Sequence, residues 1–169
     1  GGVKQDRLHV ISFDADTGKK LWQRDFWATG RTYTHPTSSV AAPTPASDGK
    51  RIVAFFSSND LVCLDLDGNL LWYRGLALDF KKAGNDVGMS SSPTISGEVV
   101  IVQAENQGNS FATGIDINSG KELWRTTRGN LANWASPIAI EGPKGQPAVL
   151  MQSPTGITAY ESASGTILW

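Results

Sequence analysis

Cysteine and histidine are almost missing from this 169-residue chain, which holds one of the first, Cys63, and two of the second, His9 and His35. A single thiol excludes an internal disulfide and leaves the redox compartment open. Two imidazoles do not make a zinc cluster by themselves. Charge of one sign is absent too. Fifteen Lys and Arg against sixteen Asp and Glu leave a net charge of −1, so there is no basic field for nucleic acid and no polybasic patch for a membrane surface. No apolar run approaches the roughly 18 residues a membrane span needs; the VVIV run at 99–102 is typical. The opening GGVKQDRLHV lacks the apolar h-region of a signal peptide. Also missing are G-x-S-x-G, HExxH, a P-loop and the Rossmann glycine fingerprint. What is left is an ordinary globular composition, 40% hydrophobic, long enough to bury a core unaided.

Tryptophan, by contrast, recurs to a rule. It closes the phrases DADTGKKLW at Trp22, DLDGNLLW at Trp72, DINSGKELW at Trp124 and ESASGTILW at Trp169. The intervals are 50, 52 and 45 residues, and a glycine stands four residues before each: Gly18, Gly68, Gly120 and Gly165. A period of about 40 to 50 residues marks a repeat architecture with one supersecondary unit per period.

Upstream of each Trp the grammar is constant. A small residue precedes a proline (Ala42-Pro43, Ser92-Pro93, Ser136-Pro137), and a short apolar stretch and a Gly- or Asp-bearing turn follow. Then come two β-prone runs separated by a polar turn: RIVAFF and LVCLDL, EVVIVQ and ATGIDI, AVLMQ and GITAY. Such runs between Gly, Asp, Asn and Ser clusters read as strands. No window sustains helical apolar spacing over three turns, so no helices are expected. Four short strands per period, in hairpin succession, describe one propeller blade.

The Asp…Gly element reads as a tight hairpin turn, with glycine at positive φ and the acidic residue accepting from turn amides. Asp14 and Asp16 alternate as in a calcium loop, but a third acidic position before the glycine and a terminal bidentate Glu are lacking. No metal site is predicted. A large flat side chain at one point of every unit has two uses, filling the seam between units or stacking a ligand in an exposed row. Stacked repeats must bury a continuous core between neighbours, so the seam is predicted, where each ring removes on the order of 200 Å² from water.

The phrase acidic-x-x-[Thr/Ser]-Gly-Lys-x-Leu-Trp, with the small-Pro start of the next unit, resembles the PQQ-like β-propeller repeat. The likeness covers nearly the whole chain in four copies. That family includes quinoprotein alcohol and glucose dehydrogenases and the non-catalytic lipoprotein of the bacterial outer-membrane barrel-assembly machinery. The resemblance implies an all-β propeller segment, residues 1–169 as one partial domain of about three and a half four-stranded antiparallel blades. The units run roughly 7–27 (partial), 40–76, 90–128 and 134–169, where the family commonly closes with eight. Either the chain is a segment of a longer protein, or several copies join, or it forms an open arc. An open arc would expose strand edges, so the isolated chain is expected to be oligomeric or poorly soluble. Export to the periplasm or beyond is implied by the resemblance alone.

The resemblance also frames the functional alternatives. Quinoprotein dehydrogenases typically hold PQQ beneath an adjacent Cys-Cys disulfide and bind Ca²⁺ through Glu, Asn and Asp. This chain has only Cys63, inside a predicted strand, read as a buried structural thiol. Glu105 and Asn106 are oxygen donors in a predicted loop and are read as solvated. No cofactor is therefore expected, PQQ and Ca²⁺ entering only if the chain is part of such an enzyme. His9 is read as structural.

Propeller loops before the innermost strand and between the middle strands gather on one face of a rigid scaffold. Here the leading loops at 29–39, 85–92 and 130–136 are long and polar. They carry Arg31, Tyr33, His35, Asn85, Asp86, Asn133 and Trp134, the last a Trp that breaks the period. His35, Tyr33, Asn85, Asp86, Asn133 and Trp134 are the predicted contact face, with the alternative that Trp134 packs beneath its own loop. Two functions stay open: a non-catalytic propeller binding a protein or cell-envelope component, and a segment of a quinone-dependent dehydrogenase.

Overall fold

The computed structural model describes residues 6–79 and 89–169. Among these, thirteen strands form four antiparallel sheets in chain order. Sheet one pairs β1 (Arg7–Phe13) with β2 (Lys20–Trp27). Sheet two runs β3 (Ala46–Ser47), β4 (Arg51–Phe55), β5 (Asp60–Asp65), β6 (Leu70–Gly75). Sheet three runs β7 (Thr94–Ser96), β8 (Val99–Ala104), β9 (Phe111–Asp116), β10 (Glu122–Thr127). Sheet four holds β11 (Ile138–Glu141), β12 (Pro147–Ser153) and β13 (Gly156–Glu161). A bridge from Tyr160 to Ile167 begins its fourth strand. This is the expected all-β segment of a PQQ-like propeller, with two full blades between two partial ones. One element departs from expectation: α1 (Leu76–Asp79), a single helical turn that buries Leu76. One turn is too short to leave a helical period in the sequence.

The core is divided among the seams between sheets. Residues of β5 alternate between two of them, as a strand covered on both faces must. Val62 and Leu64 join Leu8 and Val10 of sheet one, whereas Leu61 and Cys63 join Val100, Val102 and Ile115 of sheet three. The third seam gathers Val99, Ile101 and Ala112 with Val149, Met151 and Tyr160.

One contact repeats in all three seams. The indole of Trp22 lies against Gly68, that of Trp72 against Gly120 and that of Trp124 against Gly165. Their ring atoms stand 2.7, 2.8 and 2.6 Å from where a Cβ on each glycine would sit. The indole N–H donates to a carbonyl of the same turn: Leu66 at 3.0 Å, Ile117 at 2.8 Å and Ser162 at 2.7 Å. Each glycine also has a positive φ (78°, 69° and 69°), so glycine is required twice over, by its backbone and by the ring upon it. Arg24 and Arg74, two residues after their Trp, donate to the carbonyls of Gly68 and Gly120. Trp72 and Trp124 are each only 8% exposed.

The Trp ring also needs room within its own sheet. Trp22 pairs with Ser12, Trp72 with Cys63 and Trp124 with Gly114, and directly opposite residues share a face. A Cβ on Gly114 would meet the Trp124 indole at 2.1 Å. Cys63 is thus a small residue set opposite Trp72, and burial pushes its thiol up to about 11.

The turns are capped by their own acids. The Asp14 carboxylate accepts from the Thr17 hydroxyl (2.6 Å) and amide (2.8 Å), and Asp116 accepts from the Ser119 hydroxyl and amide. Asp65 accepts from the side-chain and backbone N–H groups of Asn69. These bonds, the Thr17 hydroxyl, Ser119 hydroxyl and Asn69 side chain foremost, hold the three carboxyls below their ordinary 3.8.

Three outcomes are expected. Gly120→Ala should destabilise by about 3 kcal/mol in urea titration, from the Trp72 overlap added to the strained φ. Gly49→Ala, with a φ of 82° but nothing within 4 Å of a Cβ, should cost only about 1 kcal/mol. As for pH, the folded carboxyls bind protons less readily than the unfolded ones. Their contribution is complete above the ordinary value and is lost as pH falls through the lower folded values. Thermal melts should therefore show a steep fall in stability below about pH 4.

Candidate functional site

Antiparallel succession puts the β4–β5, β8–β9 and β12–β13 hairpins at the same end of the sheets as the connections that lead from each sheet to the next. The Asp…Gly turns lie at the other end. Where hairpins and connections meet, the chain buries polar groups, and burial without hydrogen bonds would be costly.

Asp60 is fully buried and surrounded by neutral donors. It accepts from the amide of Thr29 (3.0 Å) and the hydroxyls of Thr29 (2.6 Å), Ser58 (2.6 Å) and Tyr73 (2.7 Å). Burial first, then the hydrogen bond to Asp60 and its charge, raise the Tyr73 hydroxyl well above its usual range, so the phenol stays a donor. The hairpin that presents Asp60 turns through Asn59, at a φ of 64°, a conformation Asn tolerates better than most residues.

In sheet three the buried acid is Glu105, on the other arm of the hairpin, just after β8. Expected to be solvated, it is 1% exposed, and Asn106 beside it is fully buried. Glu105 Oε1 accepts from Arg128 Nε at 2.6 Å, and its Oε2 accepts from Asn133 Nδ2 at 2.8 Å. Arg128 also donates to the Tyr160 hydroxyl at 2.6 Å, crossing into sheet four. Asn133 binds the Gln152 carbonyl as well. The network rivets sheet three to sheet four and to the connection between them. Asn106 is spent within its own hairpin, on the Gly108 amide and the Asn109 carbonyl.

The predicted contact residues divide into four groups. Tyr33, 45% exposed, and His35 lie in the connection between sheets one and two. The Arg31 guanidinium covers the Tyr33 ring at 4.8 Å, and His35 Nδ1 meets the Thr37 hydroxyl at 2.8 Å. Trp134, 46% exposed, stands in the connection between sheets three and four. It shares the loop end with Tyr33 and His35 but lies two blades away. Asn133 sits in the Glu105 network rather than facing outward alone. Asn85 and Asp86 lie outside the described residues. His9 lies on the outer face of β1 and pairs with Asp25 at 2.6 Å. A groove of about 570 Å³ runs beside β1, lined by residues that include Arg7, Trp27, Val40 and Phe56.

Neither Cys63 nor Glu105 is placed to serve a quinone and calcium site. The only cysteine is buried opposite Trp72, and both carboxylate oxygens of Glu105 are engaged by Arg128 and Asn133. Among the described residues, no three His, Cys, Asp or Glu side chains gather as metal ligands. No helix among them is long and apolar enough to cross a membrane.

Residues 6–169 match the family model described as outer membrane protein assembly factor BamB. No curated protein matches the sequence. Among solved structures, BamB from Moraxella catarrhalis is similar, with a TM-score of 0.64 and 22% identity over 99% of this chain and 50% of that one. The quinohemoprotein alcohol dehydrogenase of Comamonas testosteroni gives 0.64 and 14% over 95% of this chain and 31% of that one. A quinohemoprotein alcohol dehydrogenase from Pseudomonas putida HK5 gives 0.62 and 16%, with the same coverage. The chain spans half the length of the BamB and under a third of the dehydrogenases. At these identities the likeness is one of fold.

The buried pair generates a prediction. Glu105→Gln, which leaves the Arg128 guanidinium without a counter-charge, should cost about 3 kcal/mol in urea unfolding. Pairing Glu105→Met with Arg128→Met should recover most of that loss, giving a large coupling in the double-mutant cycle.

Proposed function

Because the chain belongs to the BamB family of PQQ-like β-propellers, we propose that it serves as a non-catalytic binding scaffold of the bacterial cell envelope, in the periplasm or outside the cell, holding a protein partner on its loop end. The observation that carries this reading is how the loop end is built. Its buried charges, Asp60 and Glu105, are spent on fastening loops to the sheets. The large side chains Tyr33, His35 and Trp134 stand outward on that platform. Exposed aromatics on a rigid support suit protein recognition, where Tyr and Trp supply much contact area at little entropic cost. The cell-envelope setting is supported by the family description.

A dehydrogenase segment is the competing reading, since two structural neighbours are quinohemoprotein alcohol dehydrogenases. The committed oxygens of Glu105 and the lone, buried Cys63 favour the scaffold over it.

The test combines two measurements. Tyr33→Ala, His35→Ala and Trp134→Ala together should leave the melting temperature unchanged yet abolish capture of proteins that the unaltered chain retains from an envelope fraction. Titration with PQQ and Ca²⁺ should produce no saturable change in Trp fluorescence. Undiminished capture by the triple variant would refute the contact face, and saturable quinone binding would favour the enzyme.

A further inference from the structure

The connection between sheets one and two returns to the place it leaves. Its first foot is Thr29, whose amide and hydroxyl donate to Asp60 at 3.0 and 2.6 Å. The chain is tight there. A Cβ on Gly30 would stand 1.9 Å from the Ser58 carbonyl oxygen, and one on Gly75 would stand 2.3 Å from the Thr29 hydroxyl. The second foot is Val40, which is buried with Phe56 and accepts from the Ser57 amide at 2.8 Å. Ser57, Ser58 and Asp60 belong to one hairpin, closed by a bond from Phe56 N to Asp60 O at 2.9 Å. Both feet therefore stand on the same turn.

Between the feet, none of residues 31–39 is buried. The segment packs on itself instead. The Ser38 amide donates to the His35 carbonyl at 2.9 Å, and Pro36 between them has the fixed φ that the second position of such a turn favours. His35 Nδ1 meets the Thr37 hydroxyl, and the Arg31 guanidinium covers the Tyr33 ring. Closed surface loops of this kind, carried by a rigid scaffold, are where binding groups concentrate.

The chemistry of the loop is one-sided. From 28 to 45 the chain has no Asp or Glu, and its basic side chains are Arg31 and His35. The carboxylates that the connection touches, Asp6 and Asp60, accept from the hydroxyls of Thr32 (3.2 Å) and Thr29 (2.6 Å). A tyrosine set among Thr and Ser offers rigid contact area beside adaptable hydrogen-bonding groups, as binding loops of antibodies do.

We infer that residues 31–39 form a self-contained recognition loop, held in shape by the Ser57–Asp60 hairpin, for an acidic segment of a partner protein. This rests on the scaffold function proposed for the loop end, and it narrows the contact face to one loop and the partner to one chemistry. The basic groups meet the carboxylates of the segment, and the Tyr33 ring meets its apolar side chains. Because both feet are fixed before anything binds, the loop needs little further ordering on association.

Excision is the direct test. A bridge of three residues reaches about 10 Å, so Gly-Ser-Gly in place of 31–39 should rejoin two feet that share a hairpin. The excised chain should melt cooperatively within about 3 °C of the unaltered one. The binding probe is fluorescently labelled poly(Glu,Tyr), a random acidic copolymer, followed by anisotropy. The unaltered chain should bind it saturably, and less tightly as salt rises. Arg31→Glu and Tyr33→Ala should each weaken binding about tenfold, and excision should abolish it. Loss of the cooperative melt on excision would overturn the self-contained loop. Failure of the unaltered chain to bind the copolymer would overturn the acidic partner. Binding of heparin in preference to the copolymer, lost on excision, would give the loop to an acidic glycan and overturn the protein partner. Undiminished copolymer binding by the excised chain would overturn the choice of loop. Failure of the scaffold function looks different: the triple variant at Tyr33, His35 and Trp134 would then capture envelope proteins undiminished, whatever the copolymer does.

Discussion

Each sheet of this molecule is fastened to the next by one indole lying on one glycine. The contact makes three demands at once. The ring needs a turn without a Cβ, its N–H needs a carbonyl in that turn, and its own sheet must offer a small residue opposite. Gly68, Gly120 and Gly165 meet the first demand; Leu66, Ile117 and Ser162 meet the second. Ser12, Cys63 and Gly114 meet the third. Because a propeller seam is nearly flat, shape alone would let two sheets slide. A ring locked into a turn and hydrogen-bonded there fixes their relative height.

The two ends of the sheets solve the problem of buried polarity differently. At the turn end, acids stay partly exposed and cap their own hairpins, as Asp14 does with Thr17. At the loop end, acids are buried and work across long stretches of chain. Asp60 gathers four neutral donors, whereas Glu105 takes a guanidinium and an amide. The loops that stand outward thus rest on a floor whose two buried carboxylates, Asp60 and Glu105, are already engaged, which leaves the exposed side chains there to face a partner.

Much of this architecture was legible in the sequence. The Trp–Gly period announced the blades and the seams, and the strand runs matched the sheets closely. The small residue opposite each Trp was also present, always two positions before the acid of the turn, but it passes unnoticed until pairing shows which residues face one another. Glu105 misled for a physical reason. A carboxylate beside Asn106, Gln107 and Gly108 has the composition of a solvated loop, and nothing nearby in sequence signals its cation. Arg128 lies 23 residues on and Asn133 lies 28. The contact residues fared unevenly: Tyr33, His35 and Trp134 stand exposed, while Asn133 is drawn into the rivet between sheets three and four.

The sequence by itself determined the fold class, the number of seams and the residues that lock them, because a repeat restates the same local rule in every unit. A strand's period of two and a glycine's tolerance of positive φ are properties of a few neighbouring residues, and they can be read in place. The tertiary structure decided which charges are buried and what neutralises them. Those outcomes depend on which sheets lie side by side, and electrostatic pairing across a seam has no local period to betray it.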